Sequence, residues 1–197
     1  AGRENKLVVG STTALSGNFF SPAFGSNTSD LDVQTLLHGY HLVKWNGDEG
    51  GYVLNDRVVT SLVKTEDSQG NRTYTLTLCE DLRYSDGTPI TARDYAFSIL
   101  LNASAQMAEI GGAADGGACL LGAADYKDGA KAFKGVRVLN DSHLAITVSA
   151  EYRPFFYELG LLDYAPYPIS VIAPGCEVAD DGSGAYIRNS DANATEP

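Results

Sequence analysis

Residues 74–98 read YTLTLCEDLRYSDGTPITARDYAFS. Tyr74, Leu76 and Leu78 alternate with Thr75 and Thr77, the period of two expected of an antiparallel strand with one face in a core and the other half exposed. Ser85-Asp86-Gly87 supplies a turn. Pro89 holds the residue before it extended, and Thr91, followed three residues on by Asp94, forms a capping box that starts a helix. That helix is expected over residues 92–105. Tyr95 and Ile99, and Phe97 and Leu101, stand four residues apart and build a wide apolar face to lie against the sheet.

Working outward, residues 57–66 and 72–80 read as two strands joined by Asp67-Ser68-Gln69-Gly70-Asn71, whose Gly and Asn suit the positive φ of a hairpin turn. Downstream, residues 135–139 and 143–149 pair around Asn140-Asp141-Ser142. Leu144, Ile146 and Val148 form the core strip there, and His143 falls on the opposite face as an exposed strand residue rather than a base. Upstream, residues 6–11 read as a buried strand that ends in a small, polar loop. Residues 29–42 carry Leu31, Val33, Leu36, Leu37 and Tyr40 at helical spacing, with Ser29 or Asp30 as the cap and Gly39 as the stop. Short helices are expected at 123–130, at 155–161 and after Pro168. The glycine-rich run 111–117 lacks the Lys-Ser/Thr of a P-loop and reads as a flexible linker. From Cys176 onward the chain is polar and small without periodicity, which predicts disorder.

The 197 residues have 44% hydrophobic and 20% charged content, with 21 Gly and 7 Pro. That profile belongs to a mixed α and β globular chain with many turns. The net charge of -11 repels phosphates, and no basic patch interrupts it, so nucleic acid and an anionic membrane surface are excluded as partners. No run approaches the ~18 apolar residues that would span a bilayer. The opening Ala1-Gly2-Arg3 is that of a mature or trimmed product rather than a leader. The three cysteines, Cys79, Cys119 and Cys176, form no CxxC pair; Cys79 reads as buried in a strand, and a bridge between the other two stays open. His38 and His41 have no third ligand nearby, and the acidic stretch 177–181 lacks EF-hand spacing, so no metal is expected. Enzyme motifs are missing too: there is no G-x-S-x-G, H-E-x-x-H or P-loop, and a turn and a helix cap account for Asp86 and Asp94.

The ordered stretch 74–98 resembles the signature of the peptide/nickel-type solute-binding proteins of ABC importers, a Y-x-F-x-L-R strand followed by F-S-D-G-x-P-L-T-A-x-D-V-x-F-S. Leu36-Leu37-His38-Gly39-Tyr40-His41-Leu42 is similar to that family's L-F-x-G-L-V stretch, and residues 135–148 to its G-V-x-V-x-D-x-x-T-L-x-I-x-L hairpin. Tyr152-Arg153-Pro154-Phe155-Phe156 and Pro166-Tyr167-Pro168-Ile169 continue the likeness, which covers about residues 6–172. Cys79 replaces the strand's usual Arg, and Ser142-His143-Leu144 stands where Thr-Leu is common. The family's members run to more than twice this length.

The resemblance implies a periplasmic-binding-protein-like lobe with antiparallel hairpins and packed helices. Residues 1–40 would belong to the ligand-binding lobe, 41–165 to an accessory α/β subdomain, and 166–197 to a truncated, partly disordered return toward the first lobe. It implies a monomeric, non-enzymatic receptor without cofactor, periplasmic or lipid-anchored outside a bacterial membrane, which delivers an oligopeptide or dipeptide to an ABC permease. Nickel, haem or sugar binding within the same family, or a non-transport cell-surface role, are the alternatives. Two adjacent aromatics in a Gly/Ser/Pro-rich loop cannot both point the same way, so one of Phe19 and Phe20 is a candidate to face a cleft. By position in the family, Ser16, Gly17, Asn18, Phe19 and Phe20 border the ligand, with Glu109, Ile110 and Gly111 as a second group.

Overall fold

The computed structural model describes residues 8, 10–20, 24, 27–113, 115–153 and 155–190, and the chain divides into two units, Ala1–Gly39 and Tyr40–Pro197. Most of the expected strand at 6–11 lies outside the described residues, as do Ser21, Pro22, Ala114, Pro154 and the last seven residues.

The larger unit is built on a four-stranded antiparallel sheet in the order β3-β4-β6-β5, with β3 at Val59–Glu66, β4 at Arg72–Leu78, β5 at Val136–Asn140 and β6 at His143–Val148. Leu76 is the centre of its register, paired with Leu62 on one side and Leu144 on the other. The alternation in the sequence is realised. Tyr74, Leu76 and Leu78 are buried, as are Leu144, Ile146 and Val148, each burial being worth roughly 1.5–3 kcal/mol. Ala145 and Thr147, on the opposite face of β6, are buried too, whereas Thr73, Thr75 and Thr77 on that face of β4 are half-buried. In the β3–β4 turn Gly70 takes the positive φ and Asn71 does not. Asn71 is instead fixed by donating to the Asp67 carboxylate at 2.8 Å while its own amide oxygen accepts from Ala150 N.

Helix α2, Ala92–Ala103, packs against β5 and β6. Its start is the expected capping box: Asp94 accepts from Thr91 N at 2.8 Å and Thr91 Oγ1 accepts from Arg93 N at 3.2 Å. Tyr95, Phe97, Ile99 and Leu100 are all buried. The helix stops two residues short of the expected end because Ser104 turns extended and caps a second helix, α3, Ala105–Glu109, by accepting from Met107 N. The run 111–117 is not a loose linker among its described residues. Gly116 lies against Asn102 and Gly117 against Ile99 and Phe133, with no room for a side chain at Gly116.

The expectation of disorder after Cys176 is corrected as far as Ser190. Strands β7, Cys176–Asp180, and β8, Ala185–Asn189, form a hairpin whose Val178 and Ala185 are fully buried. Polar groups anchor it: Asp180 accepts from Arg137 Nε at 2.8 Å and from Val138 N at 2.9 Å. The acidic stretch is therefore a strand with a buried anchor, and a search for apolar alternation passes over it.

Before this sheet comes a small hairpin, β1 at Val43–Asn46 and β2 at Gly51–Leu54, with Val43 opposite Leu54 and Trp45 opposite Tyr52. A 3-10 turn, Glu158–Leu162, lies against it. The turn is clamped to the tip of the β3–β4 hairpin by four ionic side chains. Glu158 accepts from Arg72 at 2.8 and 3.0 Å, from Arg153 at 3.2 Å and from the Tyr74 hydroxyl, while Glu66 accepts from both arginines. Burial and the Glu158 carboxylate push the Tyr74 phenol up to about 12.

Candidate ligand-facing loop

In the smaller unit, helix α1 spans Thr28–Leu37 and is capped by Asn27, whose side chain accepts from Asp30 N. The expected cap at Ser29 or Asp30 is thus corrected to Asn27, two or three residues earlier, and the helix ends at Leu37 with His38 as its C-cap, just before the expected stop at Gly39. Its buried face is also not the expected one. Ser29, Asp30 and Gln34 are buried, whereas Leu31, Leu36 and Leu37 are 43%, 85% and 63% exposed.

The polar face exists because the preceding loop has backbone groups to satisfy. Asp30 accepts from Ser16 N at 3.0 Å and from the Ser16 hydroxyl at 2.6 Å, Gln34 donates to Asn18 O at 2.8 Å, and Ser29 donates to Thr13 O at 3.1 Å. The Ser16 hydroxyl, then the backbone amides of Ser16, Asn27 and Gly17, hold the Asp30 carboxyl below its ordinary range against the opposing effect of burial. Gly17 sits at φ +89°, where a side chain would be strained,.

Ser16, Gly17, Asn18, Phe19 and Phe20 are therefore brought together on one helix. The Phe19 carbonyl is 2.8 Å from His38 Nε2, and the Phe20 ring meets the His38 ring edge-on at 6.1 Å. Asn18 and Phe19 are half-buried and Phe20 is 44% exposed. Polar clamps hold the backbone while amide and aromatic side chains remain at the surface, an arrangement suited to hydrogen bonding and apolar contact without covalent chemistry. The sequence reading missed Asp30 and Gln34 as the residues that shape this loop. The available signal was Asn27 three residues before Asp30, a capping pattern one turn ahead of the leucine periodicity.

The second group, Glu109, Ile110 and Gly111, belongs to the larger unit and closes α3. Ile110 N donates to Gln106 O and Gly111 N to Ala108 O, and the Ile110 side chain is 67% exposed.

The remaining titratable candidates are placed in ordinary roles. His41 Nδ1 is 2.7 Å from Asp163 Oδ1, and His143 Nδ1 is 2.9 Å from Asn140 Oδ1. Cys79, Cys119 and Cys176 are free thiols, so the bridge left open by the sequence is not formed. Burial pushes the Cys119 thiol up. Among the described residues no group of three or more His, Cys, Asp or Glu side chains could hold a metal ion, and no helix is long and apolar enough to cross a membrane.

The comparison with curated proteins gives no match. Among solved structures, the chain is similar to Haemophilus influenzae OppA in complex with the peptide RPPGFSPFR, with TM-score 0.60 and 24% identity over 78% of this chain and 29% of that one. It is also similar to Listeria monocytogenes OppA bound to peptide, with TM-score 0.56 and 20% identity over 75% and 28%. The Escherichia coli murein tripeptide binding protein MppA gives TM-score 0.56 and 23% identity over 78% and 29%. The chain thus spans under a third of the length of these structures, and the likeness shows a shared fold. A family model for the middle region of the bacterial extracellular solute-binding proteins, family 5, matches residues 57–195, which takes in the strand, turn and capped helix of residues 74–98 and the hairpins on either side. The chain belongs to the family 5 bacterial extracellular solute-binding proteins, a family of extracytoplasmic binding proteins and not of enzymes.

Proposed function

We propose that this chain is an N-terminal portion of a receptor that captures peptides outside the cell and delivers them to an ABC permease. The observation that carries this reading is the Ser16–Phe20 loop, whose backbone is clamped by Asp30 and Gln34 while Asn18, Phe19 and Phe20 stay at or near the surface. Asn18 offers both a donor and an acceptor for a peptide backbone, and the neighbouring rings offer an apolar wall for a side chain. Glu109, Ile110 and Gly111 form a second ligand-contacting group on their own unit. Support comes from the named relatives: two OppA proteins solved with peptides and one protein named for a murein tripeptide. Capture would shift a population of conformations that the permease senses. The receptor acts as a monomer.

The test is a thermal-shift screen of the whole gene product with dipeptides to nonapeptides, with nickel, haem and sugars as competitors. At one hundred times its dissociation constant, a peptide that binds only the folded state adds about 2.7 kcal/mol. A peptide hit that Asn18→Ala with Phe19→Ala weakens at least about tenfold supports both the substrate class and the loop. A nickel, haem or sugar hit without a peptide hit overturns the substrate class. A peptide hit indifferent to both substitutions overturns the loop.

A further inference from the structure

The apolar face of the β1–β2 hairpin does not end where the core ends. Val43 is buried, but Trp45, the next residue on the same face and the chain's single tryptophan, is 53% exposed. The Trp45 ring packs edge-on against Tyr52 at 5.4 Å and against Tyr157 at 5.5 Å. Phe156, 88% exposed, meets Tyr157 at 4.8 Å, and Phe155, 47% exposed, meets it at 6.4 Å. Five rings therefore make one continuous ridge. It is held rigidly, because Gly160 lies so close beneath the Tyr52 ring that an added Cβ would stand 2.8 Å from it, and because the neighbouring Glu158 is fixed by two arginines. Contiguous exposed aromatics on a rigid support are the composition of an interface centre, where Trp and Tyr supply most of the binding energy.

The charges around the ridge select its occupant. Asp48 and Glu49 stand in the β1–β2 turn, whose shape is set by Asn46 Oδ1 accepting from both of their amides. They form no ion pair among the described residues, and both are exposed. The nearby cations are already engaged: Lys44 pairs with Asp56, and Arg153 with Glu66 and Glu158. With a chain charge of -11, a second copy or an anionic surface is repelled, while a cation is drawn to both the carboxylates and the ring faces. We infer that the Trp45–Tyr157 ridge is a docking surface for a basic, aromatic- or aliphatic-bearing protein segment. It lies outside the ligand loop and is independent of the reading given for that loop.

Trp45 serves as the reporter. The probe is a heptapeptide of alternating Lys and Leu with a central Phe, capped at both ends so that no free terminus is presented. Its glutamate counterpart is the control. Titration of the whole gene product with the basic probe should shift and saturate a tryptophan emission that Trp45→Phe removes, and the glutamate control should leave it unchanged. Asp48→Asn with Glu49→Gln, and separately Phe156→Ala, should each weaken binding about tenfold, and about 0.5 M salt should weaken the parent binding in the same direction. Both variants alter exposed side chains, and unchanged circular dichroism and melting temperature would establish that they fold. Equal response to the glutamate probe, or unaltered affinity in both variants, overturns the inference. So does an emission shift on zwitterionic phosphatidylcholine vesicles without one on the peptide, which would assign a lipid surface, or concentration-dependent sedimentation of the chain alone, which would assign a second copy.

Discussion

Replacing Glu158 by Gln tests whether the ionic clamp holds the 3-10 turn against the sheet. The substitution is nearly isosteric and keeps one accepting oxygen, but it removes the charge that two guanidiniums and the Tyr74 hydroxyl share. Glu158, Arg72 and Arg153 are 20%, 27% and 13% exposed at their side chains, so solvent screens the loss only in part. A hydrogen bond to a charged group contributes about 1.5–3 kcal/mol against about 0.5–1.5 kcal/mol for a neutral one. Glutamine keeps one oxygen for one guanidinium and turns an NH2 donor toward the other, so at least one charge-assisted bond is lost outright, at a cost of about 2 kcal/mol. For a chain of this size that lowers Tm by about 4–8 °C. Urea unfolding followed through Trp45 measures it directly, since that ring rests on Tyr157, the residue before Glu158. A cycle with Tyr74→Phe should show positive coupling, because both substitutions act on one carboxylate. A loss below about 0.5 kcal/mol, the range of ordinary surface changes, would refute the claim that the clamp holds the turn.

Thr91→Ala removes the cap of α2 and should cost about 1 kcal/mol by the same urea assay, whereas Thr91→Ser should restore most of it. The pH response of the loop at residues 16–20 follows from Asp30, whose folded carboxyl is held below its ordinary 3.8. The loop contacts it stabilises are fully present above the unfolded value and are lost as pH falls through the folded one. The Ser16 amide resonance should accordingly titrate with a midpoint below 3.8 and cease to titrate in Asp30→Asn; a midpoint at or above that value would show that Ser16 does not hold the carboxylate.

The parts of the fold that could be read from the sequence are those in which one local rule and one global requirement coincide. Tyr74, Leu76 and Leu78 alternate because one face of β4 meets the core, and Thr91 with Asp94 caps a helix whatever surrounds it. The parts that escaped are held by polar contacts between distant residues. Asp180 reaches back to Arg137, so β7 carries little apolar periodicity and resembles a solvated loop. The leucines of α1 suggest a core face, yet the helix buries Asp30 and Gln34, because the backbone groups of the loop before it need partners and leucine cannot supply them. Of the candidate site residues, Phe19 and Phe20 were suggested by their place in a Gly/Ser/Pro-rich loop, and the others only by the family likeness. The aromatic ridge gave no such hint, since Trp45 and Tyr157 are 112 residues apart in the sequence and meet only through the hairpin and the clamp.

The inverted orientation of α1 changes what evolution can alter in the smaller unit. Van der Waals packing tolerates exchange among side chains of similar bulk, but a carboxylate receiving a hydroxyl and an amide has directional needs that few replacements meet. Leu31, Leu36 and Leu37 can therefore drift without disturbing residues 16–20, whereas Asp30 and Gln34 set the loop's shape in the way a keystone sets an arch. On the proposed reading of this loop as a ligand contact, variation in specificity would then accumulate at Asn18, Phe19 and Phe20 while the frame beneath them stayed the same.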